Sequence, residues 1–327
     1  MKKWISSSLA AVISLGLAAA STAVNAQGEW PSKPLTLIVP FGAGSSPDTM
    51  ARAVAEEASK TLKQTIVVQN KAGASGNVGT NLIAKAKPDG YTFGVSITGP
   101  LVNNTVIYKD LPYNPKTDIA PLTLAVHQYN VLVVPANSPI KDFSDLIALM
   151  KKGDNRLNFP STGAGTVSHL AVELLLDRTG GKAQHVPYQS SPAAVTSLLA
   201  GDTNFAALPP VAVMPMIQDG KLRAVAAVSA KRLSFLPNVP TVTELGYPGV
   251  EGSGWIGFVA PAGMPDQVSV KLSSALTQAL SAPEVTQRLK TMFMEPAPNT
   301  PQQFGVYMDD ELKRWKPLIE RLNLSEK

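Results

Sequence analysis

Ser45 and Ser46 stand between an apolar run, Leu35 to Val39, and a segment in which Met50, Ala53, Val54 and Ala58 recur at helical spacing. Hydroxyls at the start of a helix suit the binding of an anion. The first turn of a helix carries backbone N–H groups without intrahelical partners, and the macrodipole adds partial positive charge there. Gly42 and Gly44 let the chain turn sharply and come close to a ligand. Ser45 or Ser46 can cap the helix, Pro47 suits its first position, and Asp48 falls in its first turn. The same arrangement would also serve as a plain connection from strand to helix.

A second segment repeats this physics. Ser161, Thr162, Gly163, Gly165 and Thr166 precede a helical face of Val167, Leu170, Ala171, Leu174 and Leu175, which Gly180 and Gly181 stop. Two such helix ends can face one cleft. The glycine-rich loops hold few basic residues apart from Lys71. Backbone N–H groups and the hydroxyls of Ser45, Ser46, Thr162, Thr166 and Ser168 therefore suit a carboxylate better than a triphosphate.

Catalytic chemistry is poorly served. His127, His169 and His185 are the only histidines, and none has metal-ligand spacing, so no metal site and no cofactor are expected. His169 and Glu173, one helical turn apart, read as well as a surface pair as they do as ligands. No G-x-S-x-G elbow occurs. Ser138 to Lys141 matches S-x-x-K without its companion motifs, and Ser138 is expected to act as a cap instead. Gly163-Ala-Gly165 resembles the start of a dinucleotide fingerprint, but Ser168 holds the third glycine's place, and neither Gly44 nor Gly76 is followed by a P-loop lysine.

The elements that must position these residues alternate short apolar strands with amphipathic segments, the pattern of an α/β protein with a mostly parallel sheet. Strands are expected at Leu35 to Val39, Thr65 to Gln69, Tyr91 to Ser96 and Leu222 to Val228. Helices are expected at Asn81 to Lys87, Asp142 to Lys152, Val167 to Arg178 and onward from the His185 to Ala194 loop to Leu199. Thr98 to Pro100 reads as a loop. Leu122 to Val134 and Glu251 to Ala260 are long enough to cross between two lobes, and Pro265 to Glu326 reads as two or three helices.

Lys2, Lys3, the apolar stretch Ile5 to Ala20 and the small-x-small site Val24-Asn25-Ala26 have the form of a secretory signal peptide over 1–26. Its removal lowers the formal charge from +5 to +3, too little to suggest a nucleic-acid partner. With no cysteine there is neither a disulfide framework nor a thiol nucleophile. The remaining chain is large enough for a conventional core, divided into two lobes.

Several motifs in one order resemble the Bug family, the extracytoplasmic solute receptors of tripartite tricarboxylate transporters. They are Val39 to Arg52, Gln69 to Gly79, Asp89 to Thr92, Ser161 to Ala171, His185 to Tyr188, Gly220 to Ala224, Val239 to Gly246 and Trp255 to Gly263. The resemblance implies an α/β periplasmic binding protein of type II with two Rossmann-like lobes, 27–124 with 251–327 and 125–250. It implies a monomer in the periplasm, not an enzyme, that takes a small carboxylate between its lobes and delivers it to the large and small membrane permease subunits. Competing readings are a secreted α/β enzyme acting on a small carboxylate and a sensory ligand-binding module.

Carried over by position, the ligand site would comprise Phe41, Gly44, Ser45, Ser46, Ser96 and Thr98 from the first lobe. The second lobe would add Ser161, Thr162, Gly163, Thr166, His169, Tyr188, Ser191, Ala207 and Leu208. Ser45 and Ser46 replace the family's usual glycine pair, Gln189 and Ser190 replace Lys-Gly, and Leu208 stands where many members carry an acid. These departures favour a dicarboxylate or aromatic carboxylate over an amino acid, whose ammonium group the acid would pair.

Overall fold

The computed structural model describes residues 30–153 and 157–324; the expected signal peptide, 1–26, lies outside them. Leu35–Val39 forms β1, buried on both faces, and parallel partners flank it: β2 (Ile66–Asn70) on one side and β3 (Thr92–Ile97) on the other. Between β1 and β2 runs α1 (Ser46–Leu62), whose Met50, Ala53, Val54 and Ala58 are all buried. Between β2 and β3 runs α2 (Asn77–Ala84), which begins four residues before the expected Asn81, directly from the second glycine-rich loop. The expected loop at Thr98 to Pro100 instead winds into a wide helical turn, Gly99–Asn103.

The two long strands organise the rest. β4 (Ile119–Pro135) is a strand of 17 residues that pairs antiparallel with β9 (Ser253–Pro261) along its first part. From Asn130 onward its partner is β8 (Leu222–Val228), and Val131 to Val133 also pair with β7 (Ala206–Leu208), both antiparallel. β9 in turn pairs antiparallel with β3, and the short β10 (Glu295–Pro296) edges β4. The sheet is therefore mixed rather than mostly parallel. Strands that cross in opposite directions and lie side by side can only pair antiparallel, which the alternation of elements along the sequence does not reveal.

Beyond Asn130, alternate residues of β4 enter different cores. Leu132 and Val134 pack with α3 (Phe143–Lys152), with Phe159 of β5 (Asn158–Ser161), and with Leu170 and Leu174 of α4 (Val167–Thr179). Val131 and Val133 pack with Ala194, Val195 and Leu198 of α5 (Ser191–Ala200) and with Val213 of α6 (Pro210–Gln218). Asp142, not Ser138, caps α3 by accepting from Asp145 N–H; Ser138 Oγ accepts from Ile140 N–H one turn earlier. His185, expected in a loop, lies in β6 (Gln184–Pro187), parallel to β5. The C-terminal part supplies three helices, α7 (Asp266–Ser281), α8 (Pro283–Thr291) and α9 (Pro301–Arg321). None of the described helices is long and apolar enough to cross a membrane.

Candidate functional site

Where β4 exchanges β9 for β8, Gln128 lies opposite Gly254 and Asn130 opposite Val228. A cavity of about 60 Å³ sits beside this exchange. Four helices begin on its wall. Ser45, Ser46 and Pro47 open α1; Thr166, Val167 and Ser168 open α4; Ser191 opens α5; Pro209 caps α6. Convergent helix N-termini give partial positive charge without a cation. Among the described residues no charged side chain lines the cavity, and Phe41, Ile97, Val167, Trp255 and Ile256 supply apolar wall.

Five polar groups on this wall are buried and, among the described residues, have no hydrogen-bond partner: Ser45 Oγ, Ser46 Oγ, Thr98 Oγ1, Gln128 Nε2 and Ser191 Oγ. A buried polar group left unpaired costs about 1–3 kcal/mol. Four hydroxyls and an amide N–H₂ collected on one wall therefore call for an occupant rich in acceptors. By the ~10–15 Å³ that one water-sized probe fills, the space suits a small acid.

The first loop is held by groups that point away from the cavity. Asp48 accepts from Gly44 N–H at 2.9 Å, from Arg52 Nε at 2.9 Å and from Asn70 Nδ2 at 2.9 Å, and Asn70 also donates to the Phe41 carbonyl at 2.9 Å. Burial pushes the Asp48 pKa upward, but the bonds from Arg52, Gly44 and Asn70 outweigh it and hold the carboxyl below its ordinary value. Ser45 N–H donates to Gly42 O, and Ser45 uses no side-chain bond as N-cap, which leaves both serine hydroxyls for the cavity. Trp255 is fixed from behind: its Nε1 donates to Glu311 at 3.1 Å, and Trp315 Nε1 donates to the same carboxylate at 3.1 Å.

The first loop and the one before α4 are each also held by a third element. Gly42 N–H donates to Gln189 O at 3.2 Å, and Asn103 Nδ2 donates to Gly165 O at 2.7 Å. Gly163, at φ 123°, lies so close to Ser75 that a Cβ there would stand 2.6 Å from its Oγ. Only glycine fits both that backbone and that contact.

The model for the tripartite tricarboxylate transporter family receptor matches residues 50–324. The chain belongs to this receptor family. A Pseudomonas relative encoded between tcbD and tcbE is 35% identical over 96% of this chain and 93% of its own length. Protein BugT of Bordetella pertussis is 34% identical over 95% of this chain and 96% of its own. The periplasmic binding protein BugD superposes with a TM-score of 0.87 at 30% identity, covering 91% of this chain and 100% of that one. A Rhodopseudomonas palustris structure with adipate gives 0.86 at 30% identity, covering 90% of this chain and 99% of that one. The MatC protein of the same organism, with bound malate, gives 0.84 at 29% identity over 89% and 100% of the two chains.

Within the receptor, seven of the residues expected at the site line the cavity: Phe41, Ser45, Ser46, Thr98, Thr162, Thr166 and Ser191. Gly163 and Tyr188 line a neighbouring chamber, which Phe41 and Thr162 also border. Gly44, Ser96, Ser161, His169, Ala207 and Leu208 are not on the cavity wall. Gly44 serves Asp48, and Ser96 bonds Thr80 at 2.9 Å. Ala207 and Leu208 are buried in β7, where Ala207 O accepts from Asn130 Nδ2 at 3.3 Å and Pro209, next in sequence, reaches the wall.

Ser161 and His169 belong to a cluster behind the wall. Ser161 Oγ lies 2.5 Å from His185 Nε2, and the His185 ring stacks on His169 at 3.9 Å and on Phe159 at 5.2 Å. His169 is buried rather than on the surface, with Nδ1 accepting from Gly165 N–H at 3.2 Å and Nε2 3.4 Å from Glu173. Burial, then the neighbouring His169, lowers the His185 pKa to about 3. Thr166 lines the cavity, but its hydroxyl donates to Gly163 O at 2.7 Å.

Ser168, expected as a hydroxyl donor, and Val167 beside it also lie on the wall, and Gln128, Asn130, Gly254, Trp255, Ile256, Ile97, Pro47 and Pro209 complete it without having been expected there. A signal for two of these was present: Gln128 and Asn130 are, with Thr123 and His127, polar positions inside the long apolar run from Leu122 to Val134.

Proposed function

We propose that this receptor captures a small organic carboxylate, a dicarboxylate or an aromatic carboxylate rather than an amino acid, and delivers it to a membrane permease. The observation that carries this reading is the group of five unpartnered buried polar groups on an uncharged wall where four helices begin. Neutral donors and helix dipoles stabilise a carboxylate, while an ammonium group would find no carboxylate on the wall to pair with. Malate and adipate, the acids in the structures of two relatives, are both dicarboxylates and support the first class.

In this reading 27–124 with 251–327 form one lobe and 125–250 the other, and β4 and β9 are the crossings. Ligand bonds to groups from both lobes would favour the closed arrangement in proportion to its extra contacts there. The chain acts as a periplasmic monomer after loss of the signal peptide, without cofactor or metal, and returns its ligand chemically unchanged. The permease partners follow from the family's role. Thermal-shift measurements with succinate, citrate, glutamate, benzoate and phthalate test the ligand class: stabilisation by a dicarboxylate or an aromatic acid is expected, and preferential stabilisation by glutamate would overturn it.

A further inference from the structure

A chamber of about 310 Å³ adjoins the cavity, and both are walled by Phe41 and Thr162. The chamber is five times the larger, and its volume falls in the range of sites for larger ligands. Among the described residues its wall carries no charged side chain, and it includes Pro40, Pro187, Tyr108 and Tyr188. Flat rings and proline faces without charge suit an uncharged aromatic group.

Phe41 is placed to decide whether the two spaces act as one. Its backbone is fixed, because Asn70 holds its carbonyl and the next residue, Gly42, donates to Gln189 O. Its ring tip rests against Gly76: a Cβ on that glycine would stand 2.8 Å from Phe41 Cζ and 2.8 Å from Pro100 Cγ. The loop that seats the ring is itself unusual. Gly73, Ala74, Ser75 and Gly76 have φ of 140°, 44°, 57° and 93°, so two non-glycine residues are held in the left-handed region. Such strain persists only where the surrounding structure enforces it, and it concentrates at ligand clamps.

We infer that the Phe41 ring sets the length of ligand this receptor accepts, by closing the inner cavity, where the carboxylate lies, off from a chamber whose walls would suit an uncharged aryl tail. This inference rests on the carboxylate reading above. In the wild-type chain the ring separates the two spaces and favours short acids. Shortening the side chain joins them without removing any of the five unpartnered polar groups.

Titration calorimetry with two matched pairs, succinate against 2-benzylsuccinate and butyrate against 4-phenylbutyrate, tests it. The preference for the phenyl-bearing acid over its parent should rise about tenfold or more in Phe41→Ala, through burial of the added ring, and by less in Phe41→Leu. Adding Tyr188→Ala to Phe41→Ala should reverse the gain. If Phe41→Ala does not fold, Phe41→Leu decides, because the preference must still rise. An unchanged preference in the variants, while the wild type binds a parent acid, would overturn the inference alone, as would a gain that survives Tyr188→Ala. Failure of the wild type to bind any of the four acids or the acids of the thermal-shift series would overturn the carboxylate reading and this inference with it.

Discussion

Two neighbouring regions of the receptor are built from the same kinds of side chain and have opposite hydrogen-bond states. On the cavity wall, Ser45, Ser46, Thr98 and Ser191 are buried with unpartnered hydroxyls. Elsewhere on the same wall, Thr162 and Thr166 each bond Ser168, at 3.0 and 2.9 Å, and Thr166 donates to Gly163 O, while behind the wall Ser161 is occupied by His185 and by Gly163 N–H. The first group retains bonding capacity for a ligand, whereas the second spends it on the shape of a loop. Hydroxyl residues at a helix start thus differ in whether their bonding capacity is already used, and residue type alone does not separate them.

The sharpest way to break this contrast is to reverse the charge preference of the wall. Ser46→Asp would set a carboxylate against the ligand's own, and like charges brought together in an interface cost several kcal/mol. Carboxylate binding should fall by about 100-fold or more in a titration, with the far-UV circular dichroism of the wild type retained.

Smaller effects should separate the two regions. Ser191→Ala removes one unpartnered hydroxyl; because a hydrogen bond to a charged group contributes roughly 1.5–3 kcal/mol, affinity should drop by about tenfold or more while the melting temperature holds. Thr166→Ala removes a bond internal to the loop, so its main effect should be a lower melting temperature, corresponding to about 1 kcal/mol, with a smaller change in affinity. Equal affinity losses for the two variants would mean that the division between them is wrong.

A last effect concerns pH and stability rather than affinity. His185 has its pKa lowered to about 3 by burial and by His169, so the folded protein keeps it neutral where the unfolded chain, near 6.5, takes up a proton. Its contribution to stability is therefore complete above about pH 6.5 and declines as pH falls toward 3, by at most ~1.4 kcal/mol per unit. Urea unfolding at pH 7 and pH 5 should show a loss of about 1–2 kcal/mol in the wild type, and a smaller loss in His185→Phe, which keeps an aromatic ring in the stack.

Local periodicity made much of the architecture legible before any coordinates. The spacing of Met50, Ala53, Val54 and Ala58 marks the buried face of α1, and the largely apolar run ending at Pro135 marks the long strand β4. What the pattern could not supply was pairing. Whether β4 and β9 run antiparallel side by side depends on contacts more than 120 residues apart, such as Gln128 opposite Gly254. The site divides along the same line. Ser45 and Ser46 were readable because a helix start is a local feature, whereas Trp255 and Gln128 reach the wall only through the exchange of partners along β4. Ser161 and His169 were expected by position in the family motif, and the turn after β5 places them beside His185, off the cavity wall.

The most direct measurement is titration calorimetry of the chain without 1–26 against succinate, in the wild type and in Ser45→Ala/Ser46→Ala. One-to-one binding in the wild type, weakened by about tenfold or more when both hydroxyls are removed, is the expected result. Binding that is equally tight without either hydroxyl would contradict the assignment of this wall as the ligand site.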